Sequence, residues 1–347
     1  MDQIYCIDYS QLTEKEERID VDCEHISELV HRNRTRNGIA AIFHSESISF
    51  TFAKLKAQSD ELASAFLSTG LSPGDRILLI GSNESLVLLS LLSSARAKLI
   101  FCLISPHIND SDYLARIINQ GSFKALCIFN SFSERILRLL KEYSPEIFVS
   151  EKGRLKSVLL PSLTHIFISN EDHLHAGIFT FSNILSRTKD LSILPSLDSF
   201  DPHSIAAFVQ SMGSTGVNRL AAVSSFQLLG GARSVNHAFG LNETDSVCVC
   251  LPIHRGALLP LLCLSPFISR CTLIFPDAQP LPTKVFQCIS YYNLSVLLSN
   301  GAALTLLLKI FQRSQTKLNS LIKILLIGER VSPELRSSMR RSCPHTQ

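Results

Sequence analysis

Strand-length apolar runs alternate with amphipathic stretches of helix length through most of this 347-residue chain. That alternation restricts the fold more than any single motif does. Ile39 to Phe43 and Ser47 to Phe50 read as short strands. A helix follows, with Thr51 as N-cap, an apolar stripe at Phe52, Leu55, Leu62, Phe66 and Leu67, and Gly70 as its stop. Strand Ile77–Ile80, a helix opened by Asn83 and running to Ala97, and strand Leu99–Ile104 continue the series. A helix capped by Asp110 or Ser111 and ended by Gly121 comes next, then strand Ala125–Phe129 and helix Ser133–Tyr143. Residues 144–202 are less regular and proline-rich, with one strand near His165–Ser169, a short helix near Ser182–Ser186 and a linker at Asp198–His203. A second series starts at Ile205–Val209. It continues through helix Phe226–Phe239, strands Ser246–Leu251, Leu294–Leu298 and Ile322–Ile327, and helix Pro333–Arg341. Repeated strand–helix–strand units at this spacing predict an α/β fold with parallel sheets flanked by helices. Ligands of such folds bind beyond the carboxyl ends of the strands.

Apolar residues make up 46% of the chain and charged residues 18%, which is enough to bury a large core and too apolar for general disorder. The net charge of +3, without a run of Lys or Arg, speaks against a nucleic-acid partner. Residues 1–22 are acidic and resemble neither a secretory signal nor an Arg-rich transit peptide, so a cytoplasmic location is expected. No transmembrane segment is expected: Leu86–Leu103 contains Arg96 and Lys98, and Ala257–Ile268 is broken by Pro260 and Pro266. The ten cysteines include no C-x-x-C pair. Cys248 and Cys250 follow strand alternation and read as reduced core thiols. His173 and His175 sit in a polar stretch without partner ligands, so no metal site is assigned.

One stretch stands out chemically. Ser211–Ser225, SMGSTGVNRLAAVSS, follows the apolar run with Gly213, Ser214, Thr215 and Gly216 in a row. Glycines let a backbone approach an anion, successive N–H groups line the concavity, and the hydroxyls add donors. The same tetrad also suits an ordinary turn. The residues alone leave both readings open.

The order of features resembles the adenylate-forming (AMP-binding) superfamily, and within it the medium-chain fatty-acyl-CoA synthetases of the acyl-CoA synthetase family member 2 group. The resemblance covers nearly the whole chain. Ser49–Leu55 is similar to the family's "lTfaqLk", Gly70–Arg76 to "GlkpGDrv", and Ile104-Ser105-Pro106 to "v-N-P". Ser211–Ser225 aligns with the phosphate loop "TSGTTGxPKGxxLSH", Leu251–Gly256 with a shortened "lPlfHxxG", and Ile327–Leu335 with "GGerlsPel". The resemblance implies a first α/β subdomain over 23–200 and a second over 201–347 that carries the phosphate loop. It also implies ATP, Mg²⁺ and CoA as cofactors, and activation of a medium-chain fatty acid to acyl-adenylate and then acyl-CoA. Ser211, Gly213, Ser214, Thr215, Gly216 and Arg219 would then cradle phosphates, with Gly328 and Glu329 on the adenine side. His254 would flank the acyl tunnel, though as a lone residue it is equally an incidental surface histidine; for Glu329 the alternative to the adenine side is a strand-end cap.

The departures from the family pattern are specific. Met212 replaces a hydroxyl residue, Asn218 a proline that fixes φ, Arg219 a lysine and Ser225 a histidine. No segment matches the "YGxTE" motif that holds Mg²⁺ or the ribose-binding "TGD", and no residue is assigned as metal ligand or as the family's C-terminal catalytic lysine. The expectation is a truncated chain without the small C-terminal domain, in which catalysis is incomplete. The alternative is a non-catalytic remnant or interaction module that at most binds nucleotide or an acyl chain.

Overall fold

The computed structural model describes residues 23–129, 132–171, 175–187, 190–211, 218–255, 259–314, 320–327 and 331–342. In chain order, the first elements are α1 (Ile26–Arg32), β1 (Ile39–Phe43), β2 (Ile48–Thr51), α2 (Phe52–Ser68), β3 (Arg76–Ile80) and α3 (Ser85–Arg96). Then come β4 (Ile100–Ile104), α4 (Ser111–Gly121), β5 (Ala125–Ile128), α5 (Ser133–Tyr143), β6 (His165–Ile168), β7 (Ile178–Thr180) and α6 (Phe181–Arg187). β8 (Ile205–Ser211), β9 (Arg219–Ser224), α7 (Ser225–Ala238), β10 (Ser246–Val249), α8 (Leu259–Ser269) and β11 (Thr272–Phe275) follow. The last are α9 (Pro282–Tyr292), β12 (Val296–Ser299), α10 (Gly301–Ser314), β13 (Lys323–Leu326) and α11 (Pro333–Ser342).

Two sheets result, ordered β7-β6-β5-β3-β4-β8-β9 and β13-β12-β10-β11-β1-β2. All neighbours run parallel except β8–β9 and β1–β2, which are antiparallel pairs at the rims. The boundary between the sheets does not fall at residue 200. β8 and β9 complete the sheet built from residues 76–180, while β1 and β2 pair into the sheet of the C-terminal strands through Ala41 opposite Leu273.

Strand alternation sorts the side chains into layers. In β3, Ile77 and Leu79 face a core shared with α1, α2, α3, α7, α8 and the second sheet, whereas Leu78 and Ile80 face α4 and α5. In β10, Val247 and Val249 join the shared core, while Cys248, with Cys250 just past the strand, faces α9 and α10. The molecule is therefore helices, sheet, helices, sheet, helices. Phe66 from α2 sets its ring edge-on to Phe167 of β6, 5.2 Å between centroids, and Phe52 does the same to Phe267 of α8 at 5.8 Å. The eight cysteines described carry no disulfide.

Local signals behave as their chemistry dictates. Thr51 Oγ1 accepts from Lys54 N–H at 3.1 Å and caps α2, and Gly70 takes a positive φ of 104° just past its end. Asp110 caps α4 by accepting from Asp112 N–H at 2.9 Å. The left-handed residue that ends α4 is Ser122, not Gly121, which is small because the Phe123 ring lies against it. Pro266 does not break the apolar run as expected: α8 continues through it and Arg270 N–H donates to the Pro266 carbonyl at 3.0 Å. Strands β7 and β9 were not expected. Among the described residues no helix is long and apolar enough to cross a membrane.

Candidate functional site

The glycine stretch connects the two strands of a hairpin rather than leading from a strand to a helix. β8 and β9 pair in register with Ser211 opposite Arg219, and Ser211 Oγ donates to the Arg219 carbonyl at 3.3 Å. Gly213, Ser214, Thr215 and Gly216 lie outside the described residues. The stems on either side are held by one phenol. Gln210 Nε2 donates to Tyr113 Oη at 2.7 Å and Asn218 Nδ2 donates to the same oxygen at 2.9 Å. Tyr113 stands in the first turn of α4, so that helix fixes both ends of the connection. Asn218 occupies the place where the family pattern has proline. Its φ is freer, but its amide gains a partner that proline could not reach. Arg219 is exposed and makes no ion pair with the described residues, which leaves a cation at the end of the hairpin beside the connecting segment. An unpaired guanidinium is a donor set that fits polyphosphate oxygens.

A second group of residues gathers at the carboxyl ends of β3, β4 and β10. Asn83, which sequence analysis reads as the opening residue of a helix, is buried and clamps the segment after β10. Its Nδ2 donates to the Leu251 carbonyl at 3.0 Å and its Oδ1 accepts from Ile253 N–H at 2.9 Å. The residue that caps α3 from outside is Glu46, whose carboxylate accepts from Ser85 N–H at 2.9 Å and from the Ser85 hydroxyl. These bonds tie the loop after β3 to the second sheet.

His254 stands on the segment that Asn83 clamps. Burial pushes its pKa down to about 4, and the nearby positive ends of Arg255 and His107 push the same way; a hydrogen bond with the Gly81 backbone opposes them. The ring is therefore neutral at pH 7, and its buried Nδ1 has no hydrogen-bond partner among the described residues. Gly81 has no room for a side chain: a Cβ would lie 2.6 Å from Val87 Cγ2 and 2.8 Å from Phe129 Cδ2. His254 is half-buried in this setting. The structure brings it together with Gly81, Asn83 and His107 where the two sheets meet. The β8–β9 hairpin stands next to β4 in the same sheet.

Gly328 and Glu329 fall outside the described residues, between β13 and α11. His173 does too, while His175 packs on Phe148 with ring centroids 4.8 Å apart. Among the described residues no group of three or more His, Cys, Asp or Glu side chains could hold a metal ion, so Mg²⁺ is given no ligand here. Tyr113, Gly81 and Asn83 carry the geometry, yet nothing in their local sequence announces it. Asn83 and Leu251 are 168 positions apart.

The family profile for AMP-binding enzymes matches residues 30–347. The medium-chain acyl-CoA ligase ACSF2, mitochondrial, of Bos taurus is 30% identical over 212 residues, covering 59% of this chain and 34% of the relative. The chain thus spans about a third of that relative's length. Among solved structures, the luciferase-like enzyme from the nonluminescent mealworm Zophobas morio superposes with a TM-score of 0.76 at 17% identity, over 96% of this chain and 73% of its own. A long-chain-fatty-acid-CoA ligase (FadD1) from Archaeoglobus fulgidus gives 0.78 at 15% identity, over 94% and 63%. At those identities the superpositions speak for the fold, and the fold is that of adenylate-forming enzymes. With the profile running from residue 30 onward, the chain belongs to the AMP-binding enzyme family.

Proposed function

We propose that this chain serves the ATP-dependent activation of a medium-chain fatty acid. In that reaction a carboxylate oxygen attacks the α-phosphorus of ATP, the bond to the bridging oxygen of pyrophosphate breaks, and an acyl-adenylate forms. The thiolate of CoA then attacks the acyl carbon, and AMP leaves with the bonding pair. Charge that develops on the phosphoryl oxygens is stabilised by fixed donors more than by covalent chemistry. Arg219 and Ser211, with the glycine-bracketed residues between them, are the donors for the β,γ-phosphates. Neutral His254 belongs to the wall on the acyl side, where a charged ring would have to be desolvated against an alkyl chain. The observation that carries this reading is the unpaired Arg219 at the end of a hairpin whose stems share the Tyr113 oxygen.

The 347 residues contain no segment that matches the metal-holding or ribose-binding motifs. We therefore read the polypeptide alone as binding polyphosphate without turnover. Two measurements on the 347-residue chain test this: equilibrium binding of ATP and pyrophosphate, and ATP–pyrophosphate exchange with octanoate or decanoate. Binding is expected to weaken about tenfold or more in Arg219→Ala and in Gly216→Asp, as loss of a charge-assisted contact implies. Exchange is expected to stay at background. Exchange that Gly216→Asp abolishes would show a complete catalyst, and no binding of either ligand would leave an interaction module.

A further inference from the structure

A cavity of about 460 Å³ opens at the amino ends of β1 and β11. These strands run parallel to β10, and His254 follows the carboxyl end of β10, so the cavity lies at the opposite end of the sheet from the site above. Its walls include Arg36, Arg270, Glu243 and Phe52. Phe52 is the first residue of α2, which puts the positive end of a 17-residue helix at the wall.

The charges here do not balance. Arg270 pairs with Glu243 at 3.1 Å, and the neighbouring Arg32 pairs with Glu24 at 3.2 Å. Among the described residues Arg36 makes no ion pair, and its buried Nη1 has no hydrogen-bond partner. Its pKa is lowered by burial first, then by the like charges of Arg270 and Arg32, against which Glu243 acts alone. Buried donors in native proteins are almost always satisfied, and a guanidinium beside a second guanidinium gains most from an oxyanion that both can reach. Planar forks of this kind match phosphate oxygens two at a time.

We propose that this cavity is a binding site for a phosphate group, free or carried by a small ester, held by Arg36 and Arg270. Glu243 competes with the ligand for Arg270 and sets the affinity. The site does not depend on the function proposed for the hairpin, and the test keeps the two apart.

The experiment titrates the whole chain with inorganic phosphate and with ribose 5-phosphate, which lacks a nucleobase, at an ionic strength held constant with sodium chloride. Binding is read by ³¹P line broadening. Wild type and Gly216→Asp are expected to bind alike. Arg36→Gln and Arg270→Gln are expected to bind about tenfold or more weakly, Arg36→Lys to an intermediate degree, and Glu243→Gln several-fold more tightly. The gain in Glu243→Gln separates a ligand site from a structural ion pair, because removing a merely structural carboxylate gives no gain. Equal binding of both probes points to free phosphate, and preference for the ester to a phosphorylated metabolite; either supports the site. Binding that survives Arg36→Gln and Arg36→Lys unchanged, that disappears in Gly216→Asp, or that chloride matches would overturn it.

Discussion

Single atoms decide how this chain holds its candidate site, and Tyr113 Oη is the first of them. It accepts from Gln210 and Asn218, so removing the oxygen frees both stems while the ring still packs. Tyr113→Phe is expected to cost about 1 kcal/mol, with faster amide exchange confined to the hairpin. Unchanged exchange there would mean that the ring, not the oxygen, does the positioning. His25 is the second. It is 4% exposed and caps α1 through Nδ1, which accepts from Ser27 N–H at 3.1 Å. Burial, then the charge of Lys98, lowers its pKa to about 4, while Asp201 pulls the other way. The folded value lies below the unfolded one, so the contribution is full above pH 6.5 and is lost as pH falls toward 4. That drop amounts to roughly 3 kcal/mol. His25→Asn keeps a capping oxygen that does not titrate, and its stability should fall less between pH 7 and pH 5 in urea melts. His165, also lowered chiefly by burial, supplies a pH dependence that this variant leaves in place.

At the scale of elements, the loops at strand ends carry more of the site than the strands do. The turn after β3 is the clearest case. Gly81 lets Val87 and Phe129 close over it, and its backbone works against the lowering of the His254 pKa by burial. Gly81→Ala forces a methyl into that contact. It is expected to cost about 1–3 kcal/mol and to shift the His254 ring resonances in NMR spectra. An unmoved His254 signal would separate the glycine from the histidine. Element type and order were largely legible: the α2 stripe, its Thr51 cap and its Gly70 stop are local chemistry, and local chemistry is written in consecutive residues. β9 was not legible, because Arg219–Ser224 has no strong strand pattern and becomes a strand by pairing with β8.

Across the whole molecule, two sheets and three helical layers are held in one arrangement by a few polar bonds through an apolar core. Asn83 makes two of them, and Asp245 does similar work within the second sheet. Asp245 accepts from Ser295 Oγ at 3.0 Å and pairs with Lys323 at 3.2 Å, so it joins the starts of β10, β12 and β13. Asn83→Ala would leave the Leu251 carbonyl and the Ile253 N–H buried and unpaired, at about 3 kcal/mol. Urea unfolding measures it directly, and a loss below about 1 kcal/mol would mean that water or a shifted loop replaces the amide.

The sequence by itself determined the fold class, most helices and strands, and the family order of motifs, because periodicity, capping and turn chemistry depend on near neighbours. Tertiary structure alone decided that β1 and β2 serve the C-terminal sheet, that Tyr113 fastens the hairpin, and that His254 is a half-buried neutral ring whose Nδ1 is shielded from solvent. It also left Arg36 Nη1 without a hydrogen-bond partner among the described residues. These depend on residues dozens to hundreds of positions apart, and a linear pattern carries no record of which distant side chain arrives to satisfy a buried polar atom.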